Sequence, residues 1–296
     1  MSKKIVIEPY FNEAHLARHH IGNLCEYLKP DVYVIAEGLF PAGPEVNKGT
    51  VPDHVIQQYT LNGEGKRSFD FEELQKIVAD YRKQYPHIEF YIVENDYTGL
   101  DVTECFGKAY TSFEQVIKPE VDDIIFPSEC DVFITEEQGK KILKLCETLE
   151  PNQAFCCTYL LFFESPRIHW AAAMSDARRI AYRYGSGRLW GNYDGVPGTP
   201  SMYGLDPVHP LNLFHYKWIR PNRYWDFRKE QIVRNEEWER QIEKVRSIIK
   251  EHRHDVTNIN NKLAPILQGR FYLSSLTAED HPKHFREHES FVYYYG

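Results

Sequence analysis

Apolar positions in the first half of the chain switch repeatedly between short unbroken runs and stretches with helical spacing. Lys4–Ile7 predicts a short strand running into Glu8-Pro9-Tyr10-Phe11-Asn12-Glu13. Asn12 stands where an N-cap belongs, ahead of a helix through Leu28 in which Leu16, Ala17, Ile21, Leu24 and Leu28 recur at helical spacing. Pro30 stops that helix, and Asp31–Glu37 predicts a strand apolar on both faces. Leu39–Gly65 is rich in Pro, Gly and Asn and predicts a long excursion with one short strand near Val55–Leu61. Ser68 or Asp70 then caps a helix to about Tyr85, followed by a strand at Ile88–Val93 and a helix over Thr103–Ile117. Ile124–Phe126 is the fourth strand, and Thr135 caps a helix over Glu136–Leu149.

Strands alternating with helices from the first residues predict an α/β fold, a mostly parallel sheet flanked by helices. Ligands of such sheets sit beyond the carboxyl ends of the strands. That rule places Pro9–Glu13, Glu37-Gly38, Asn95 and Ser128–Asp131 on one rim.

The second half differs in character. Ala154–Phe163 predicts a long apolar strand, Ile168–Ala173 another, and Ser175–Tyr184 a helix. Tyr184–Asp206 is irregular, with repeated Gly, Pro, Trp and Tyr, and is too aromatic for disorder. Leu211–Tyr216 is apolar with His215 near its end. Trp238, Ile242, Val245 and Ile249 form one helical stripe, and Asn258–Leu267 predicts a further helix. The division expected is residues 1–230 for the ligand-binding domain and 231–296 for a helical C-terminal extension packed on it.

Within Asp122–Thr135 the fourth strand meets Pro127, and two carboxylates follow one residue apart, Glu129 and Asp131. In extended chain they point to the same side. Like charges held so close call for a cation between them, and oxygen ligands suit Mg²⁺ or Mn²⁺. A polar turn with two solvated acids is the competing reading of these residues.

Composition is ordinary for a globular chain of 296 residues, 42% hydrophobic and 26% charged. The net charge of −8 argues against a dedicated nucleic-acid binder. Its 20 Tyr, 17 Phe and 5 Trp suit either sugar and base stacking or a large core. The 6 cysteines form no Cys-x-x-Cys pair, which points to buried thiols rather than zinc ligands. No stretch reads as a signal peptide or membrane span, so a cytoplasmic protein is expected.

Pro9-Tyr10-Phe11-Asn12-Glu13, the helix after it, and the strand Asp31–Glu37 resemble the opening of GT-A (Rossmann-like) glycosyltransferases. The match is nearest to the bisecting β-1,4-N-acetylglucosaminyltransferase family, which opens with a similar Phe-Phe-Asn-Glu segment and a strand ending in Val-Glu. In that family a strand leads into Ser-Asp-x-Asp-Glu-Ile-Pro. Here Ser128-Glu129-Cys130-Asp131 takes that place, with Val132 where the family has a further acid. Phe214-His215-Tyr216 resembles the family's Trp-His-aromatic segment.

The resemblance implies transfer of a sugar from a nucleotide-diphosphate donor, UDP-sugar favoured, to an acceptor hydroxyl. It implies Mn²⁺ or Mg²⁺ as cofactor, with Asp131 as direct ligand, Glu129 on the ribose or a metal-bound water, and His215 completing the set. Tyr10 or Phe11 would stack on the base, with Pro9, Asn12 and Glu13 beside them, and Glu37 would accept from base or ribose. Lys108, and Lys217 and Arg220 in a basic-aromatic stretch from Phe214 to Lys229, would face the diphosphate. An inverting enzyme also needs a carboxylate base. Asp194 and Asp206 are the candidates, although an Asp beside Gly is more often a turn former. A glycan acceptor is favoured over DNA. The alternatives are a glycosyltransferase acting on nucleic acid at a hydroxymethylated base, for which the basic-aromatic stretch speaks, and a non-catalytic nucleotide- or sugar-binding protein of the same fold.

Overall fold

The computed structural model describes residues 2–38, 53–98, 100, 102–149, 154–163, 165–170, 178–184, 211–219, 236–252, 258–259, 261–262, 271–273 and 276–295. The expected alternation is present. β1 (Lys4–Tyr10), α1 (Ala14–Leu28), β2 (Val32–Glu37), α2 (Asp53–Tyr59), α3 (Phe71–Gln84), β3 (Glu89–Glu94), α4 (Val102–Tyr110) and β4 (Ile124–Pro127) follow in order. Next come β5 (Val132–Phe133), α5 (Glu136–Glu147), β6 (Ala154–Phe163), β7 (Ser165–Trp170), β8 (Arg178–Arg183) and β9 (Asn212–Trp218). The chain continues through α6 (Glu236–His252), β10 (Phe271–Leu273), short 3₁₀ turns and α7 (Glu289–Tyr295).

β3, β2, β1 and β4 pair side by side, all parallel, with registers such as Tyr10↔Glu37, Glu37↔Glu94 and Ile7↔Pro127. The carboxyl ends of these strands therefore lie on one edge, and Pro9–Glu13, Glu37-Gly38, Asn95 and Ser128–Asp131 share it. Beyond β4 the sheet turns antiparallel through β8, β6, β7 and β10. β6 is shared: its first residues pair with β8, while Thr158–Phe163 run parallel to β9, which in turn pairs with β5. The protein is α/β, with its longest registers in the parallel block and helices packed on it.

The apolar faces account for these elements. Val6, Tyr33, Ile35 and Phe126 belong to one buried cluster with Leu16, Ala17, Ile21 and Leu24 of α1 and Leu74, Ile77 and Val78 of α3. Ile5, Ile7, Val34, Ala36 and Ile125 face the opposite layer, with Cys105, Ala109 and Phe113. Both faces of β1 and β2 are thus buried, as a continuous apolar strand requires. At Gly139 of α5 an added Cβ would stand 2.7 Å from Tyr27 Cβ, so this glycine permits the close approach to α1.

Four sequence expectations are corrected. Val55–Leu61 is not a strand: Asp53–Tyr59 is helical, and Tyr59, with Ile56, packs against Phe11 and Phe69. Of the helix expected over Ser175–Tyr184, the described part Arg178–Arg183 is a strand: it lies between β4 and β6, and that tertiary position overrides the local helical tendency of Ala and Arg. Asn12 does not cap α1. It sits in the left-handed region with φ 57°, and Asp70, 56 residues away in sequence, accepts from the Ala14 N–H at 2.9 Å. Finally, the C-terminal extension is not purely helical, because Phe271–Leu273 joins the sheet antiparallel to β7. The boundary expected at 230/231 lies outside the described residues.

The C-terminal turns also join the main core. Phe285 is 0% exposed and stacks on Tyr216 of β9 with ring centroids 3.4 Å apart, while the Tyr216 hydroxyl lies 2.7 Å from His281 Nδ1. No described helix is long and apolar enough to cross a membrane.

One buried polar side chain fixes the segment that follows β4. The Asn23 amide on α1 is fully buried, donates to the Ile134 carbonyl at 2.8 Å and accepts the Ile134 N–H at 3.0 Å. Asn23→Ala leaves both backbone groups without that partner. Each unsatisfied buried group costs about 1–3 kcal/mol. Urea unfolding is expected to show a loss of roughly 2–4 kcal/mol, with the fold retained at low denaturant.

Candidate metal centre and the rim around it

β4 ends on Pro127, and the chain turns through Ser128–Asp131 before entering β5. β5 lies antiparallel to β9 with Val132 opposite His215 and Phe133 opposite Phe214. The Tyr216 N–H donates to the Asp131 carbonyl at 2.7 Å and extends the pairing to the acid itself. This register carries His215 to the two acids. His215 Nε2 lies 3.2 Å from Asp131 Oδ1 and 3.7 Å from Glu129 Oε2. One ligand atom from each of the three residues falls within 4.8 Å of the others, the only such cluster of three among the described residues. Asp131 and His215 are buried, at 4% and 5% exposure, while the Glu129 side chain is 24% exposed.

These separations suit a metal. In an octahedron with bonds of about 2.1 Å, adjacent ligand atoms stand about 3 Å apart. Two carboxylates and one imidazole form a hard, mixed oxygen–nitrogen set, at home with Mn²⁺ and tolerable to Mg²⁺. Burial of Asp131 adds to the case, because a carboxylate out of water is favoured by a positive charge beside it. The wider rim is acidic too: Glu8, Glu13, Glu37, Asp70 and Asp131 are each at 6% exposure or less.

The other expected ligand residues fare differently. The side chains of Tyr10, Phe11 and Asn12 are engaged inside the fold. The Tyr10 hydroxyl donates to Asp70 at 2.9 Å, Phe11 packs against Tyr59, and the Asn12 amide donates to the Tyr59 carbonyl and accepts the Phe69 N–H. Pro9 lies within β1, and its carbonyl receives the Cys130 thiol at 3.9 Å. Glu13 occupies the N-cap position of α1, its carbonyl accepting from Leu16 and Ala17. Lys108 is exposed on α4 and donates to the Asp96 carbonyl at 2.6 Å, just beyond the end of β3. Lys217 lies on β9 two residues past His215. Arg220, Asp194 and Asp206 lie outside the described residues.

Glu37 is fully buried rather than presented to a ligand. One oxygen accepts the Ser68 N–H at 2.6 Å and the Ser68 hydroxyl at 2.7 Å, while the other is buried with no hydrogen-bond partner. Burial pushes its carboxyl up to about 7 against the lowering effect of Ser68. Asp70, likewise buried, is pushed up to about 6 despite the Ala14 and Tyr10 bonds.

Sequence reasoning missed the group beneath the acids. Glu8 is 0% exposed in the middle of β1, and His20 of α1 is 0% exposed beside it. His20 Nδ1 lies 2.7 Å from Glu8 Oε2, and its Nε2 lies 3.1 Å from Ser128 Oγ. The Tyr33 hydroxyl donates to the same Glu8 oxygen, and the Cys130 thiol donates to the other at 2.7 Å. Burial works to raise the Glu8 carboxyl, but the His20 charge and the bonds from His20, Cys130 and Tyr33 hold it below the usual carboxylate range. The signals were a charge inside the apolar run Ile5–Tyr10 and a histidine between Leu16 and Leu24 on the buried stripe of α1.

No protein-family profile and no curated protein matches the chain. Solved structures show only weak likeness, and two of them illustrate it. One is the crystal structure of 4-diphosphocytidyl-2C-methyl-D-erythritol synthase, at 9% identity and TM-score 0.30, covering 62% of this chain and 73% of the other. The other is S. aureus TarS residues 1–349, at 10% identity and TM-score 0.31, covering 90% of this chain and 81% of the other. At such scores neither likeness bears on what the chain does.

The Glu37 environment makes a pH prediction. Its proton is held more tightly in the native state than in the unfolded chain. The stability it contributes is therefore complete below pH 4.5 and lost as pH rises through about 7. The span corresponds to on the order of 3 kcal/mol. Glu37→Gln keeps an oxygen for Ser68 and cannot ionise. Its melting temperature is expected to match the parent's near pH 5 and exceed it at pH 8, as followed by circular dichroism.

Proposed function

We propose that this chain is a metal-dependent glycosyltransferase that moves a hexosyl group from a nucleoside-diphosphate sugar, UDP-sugar favoured, to an acceptor hydroxyl. The observation that carries the reading is the meeting of Glu129, Asp131 and His215. They come from the turn after β4 and from β9, at the carboxyl edge of a parallel sheet. The GT-A resemblance of the sequence supports it independently, since it singles out the same three residues.

In this reading Glu129, Asp131 and His215 hold Mn²⁺ or Mg²⁺. The ion supplies Lewis-acid stabilisation of the charge that develops on the departing diphosphate. Asp131, the more buried acid, is the fixed ligand. Glu129, partly open to solvent, is the acid proposed to meet the donor ribose or a metal-bound water. Lys217, Arg220 and Lys108 are the cationic residues proposed to face the diphosphate. Asp194, or failing it Asp206, is the carboxylate proposed to take the proton from the acceptor hydroxyl. Residues 1–230 would form the catalytic domain, residues 231–296 an extension packed on it, and the cytoplasm its place of work. A glycan acceptor accords better with the net charge of −8 than DNA does.

Titration calorimetry with Mn²⁺, and with UDP, GDP and ADP in its presence, tests this reading. The parent is expected to bind Mn²⁺ and to bind at least one nucleoside diphosphate only when the ion is present. Asp131→Ala is expected to weaken Mn²⁺ binding by at least tenfold, and His215→Ala by a smaller factor. A parent that binds no Mn²⁺, or an Asp131→Ala variant that binds it as the parent does, overturns the assignment.

A further inference from the structure

The turn after β4 sends its side chains two ways. Glu129–Val132 is a tight turn closed by the Val132 N–H on the Glu129 carbonyl at 3.0 Å, with Cys130 and Asp131 as its central residues. Glu129 and Asp131 meet His215. Cys130, which stands between them in sequence, goes the other way and is 4% exposed. A buried free cysteine is most often a small apolar filler. Here its surroundings are polar: Sγ lies 2.7 Å from Glu8 Oε1 and 3.9 Å from the Pro9 carbonyl oxygen.

Donor and acceptor in this contact are fixed wherever the proton between Glu8 and His20 sits. That pair meets through Glu8 Oε2, which also takes the Tyr33 hydroxyl, and Oε1 is left to the thiol. A carboxyl group gives up its proton several pH units before a thiol does. The Cys130 S–H therefore donates, and Oε1 accepts. Among the described residues Cys130 is the one side chain that donates to that oxygen.

The acceptor is a firm anchor. Glu8 is fully buried inside β1, between β2 and β4, and is held from β2 by Tyr33 and from α1 by His20. Backbone bonds tie the turn on either side of Cys130: the Ser128 N–H donates to the Ile7 carbonyl at 2.9 Å, and the Tyr216 N–H to the Asp131 carbonyl at 2.7 Å. The thiol adds a tie to the sheet between those two points. Two carboxylates so close repel each other while no cation separates them. A turn free to rock would spread them, and an arriving ion would have to draw them back.

We propose that Cys130 is a positioning residue of the Glu129–Asp131–His215 centre, its thiol pinning the turn to Glu8 and so holding the two acids at the spacing one divalent cation requires. This rests on the proposed function for the presence of the ion. The ion is met by the two acids and His215, and Cys130 acts through them.

Titration calorimetry with Mn²⁺ on the parent, Cys130→Ser and Cys130→Ala tests the inference, with thermal unfolding to show that each variant is folded. Both variants lose the bulk of sulfur, and only serine keeps a donor. A hydrogen bond to a charged group is worth roughly 10–100-fold in an equilibrium constant. Cys130→Ala is expected to weaken Mn²⁺ binding by about tenfold, while Cys130→Ser stays within about threefold of the parent. A second measurement needs no alanine variant. The infrared difference between the parent and Cys130→Ser isolates the S–H stretching band of this thiol, which its bond to a carboxylate is expected to shift below the bands of the other cysteines. Parental affinity in Cys130→Ala overturns the inference and leaves the metal-dependent reading standing. So do equal losses in the serine and alanine variants, or an S–H band that is not shifted. A parent that binds no Mn²⁺ overturns both.

Discussion

Two residue pairs and one backbone hydrogen bond hold the centre of this protein together. β5 is only two residues long, and it meets β9 at Val132↔His215 and Phe133↔Phe214, with the Tyr216 N–H closing on the Asp131 carbonyl. A slip of one residue would put Phe214 or Tyr216 where the imidazole stands. So short a ladder is not stable alone, and its register is enforced from outside. Asn23 grips both backbone groups of Ile134, the Phe162 ring stacks on Tyr216 with centroids 4.9 Å apart, and Phe285 covers the same tyrosine from the other direction.

The rim shows how neighbours decide the fate of a buried carboxylate. Glu8 and Glu37 end up equally inaccessible, on adjacent parallel strands, yet burial wins at one and loses at the other. Glu8 has His20 and two further donors beside it, and these hold its carboxyl below the usual carboxylate range against its burial. Glu37 has one serine, offering a backbone and a side-chain donor to a single oxygen, and holds its proton up to about pH 7. Hydrogen bonds from neutral groups offset part of a desolvation cost, and a nearby opposite charge offsets much more.

What could be read from the sequence divides along the distance of the contacts. The strands of the parallel block, α1, α3 and α5 follow from apolar periodicity. Thr135 is legible as the cap of α5 because its partner Gln138 is three residues away. Glu129 and Asp131 stand out because they are neighbours after an apolar run. The misreadings all involve partners far along the chain. α1 is capped by Asp70 rather than by adjacent Asn12, and Tyr10 and Asn12 serve the fold because residues 59–70 fold back on them. β8 is a strand because β4 and β6 lie on either side of it. The pairing of Glu8 with His20 appears only once α1 is laid on the sheet. No local pattern specifies such contacts.

The stack of Phe285 on Tyr216 sets a timetable for the nascent chain. Tyr216 and His281 are separated by 65 residues. At about 5–20 residues per second a ribosome takes roughly 3–13 seconds to pass from one to the other. Through that interval β9, with Leu213, Phe214 and Tyr216, lacks the aromatic cover that the completed chain gives it. The parallel block, whose strands are all made earlier, can assemble first, while Tyr216, the neighbour of His215, is covered only once the segment that carries His281 and Phe285 has been made. The chain therefore passes through an interval in translation, between the making of β9 and of the segment that covers it, in which these apolar side chains are open to aggregation.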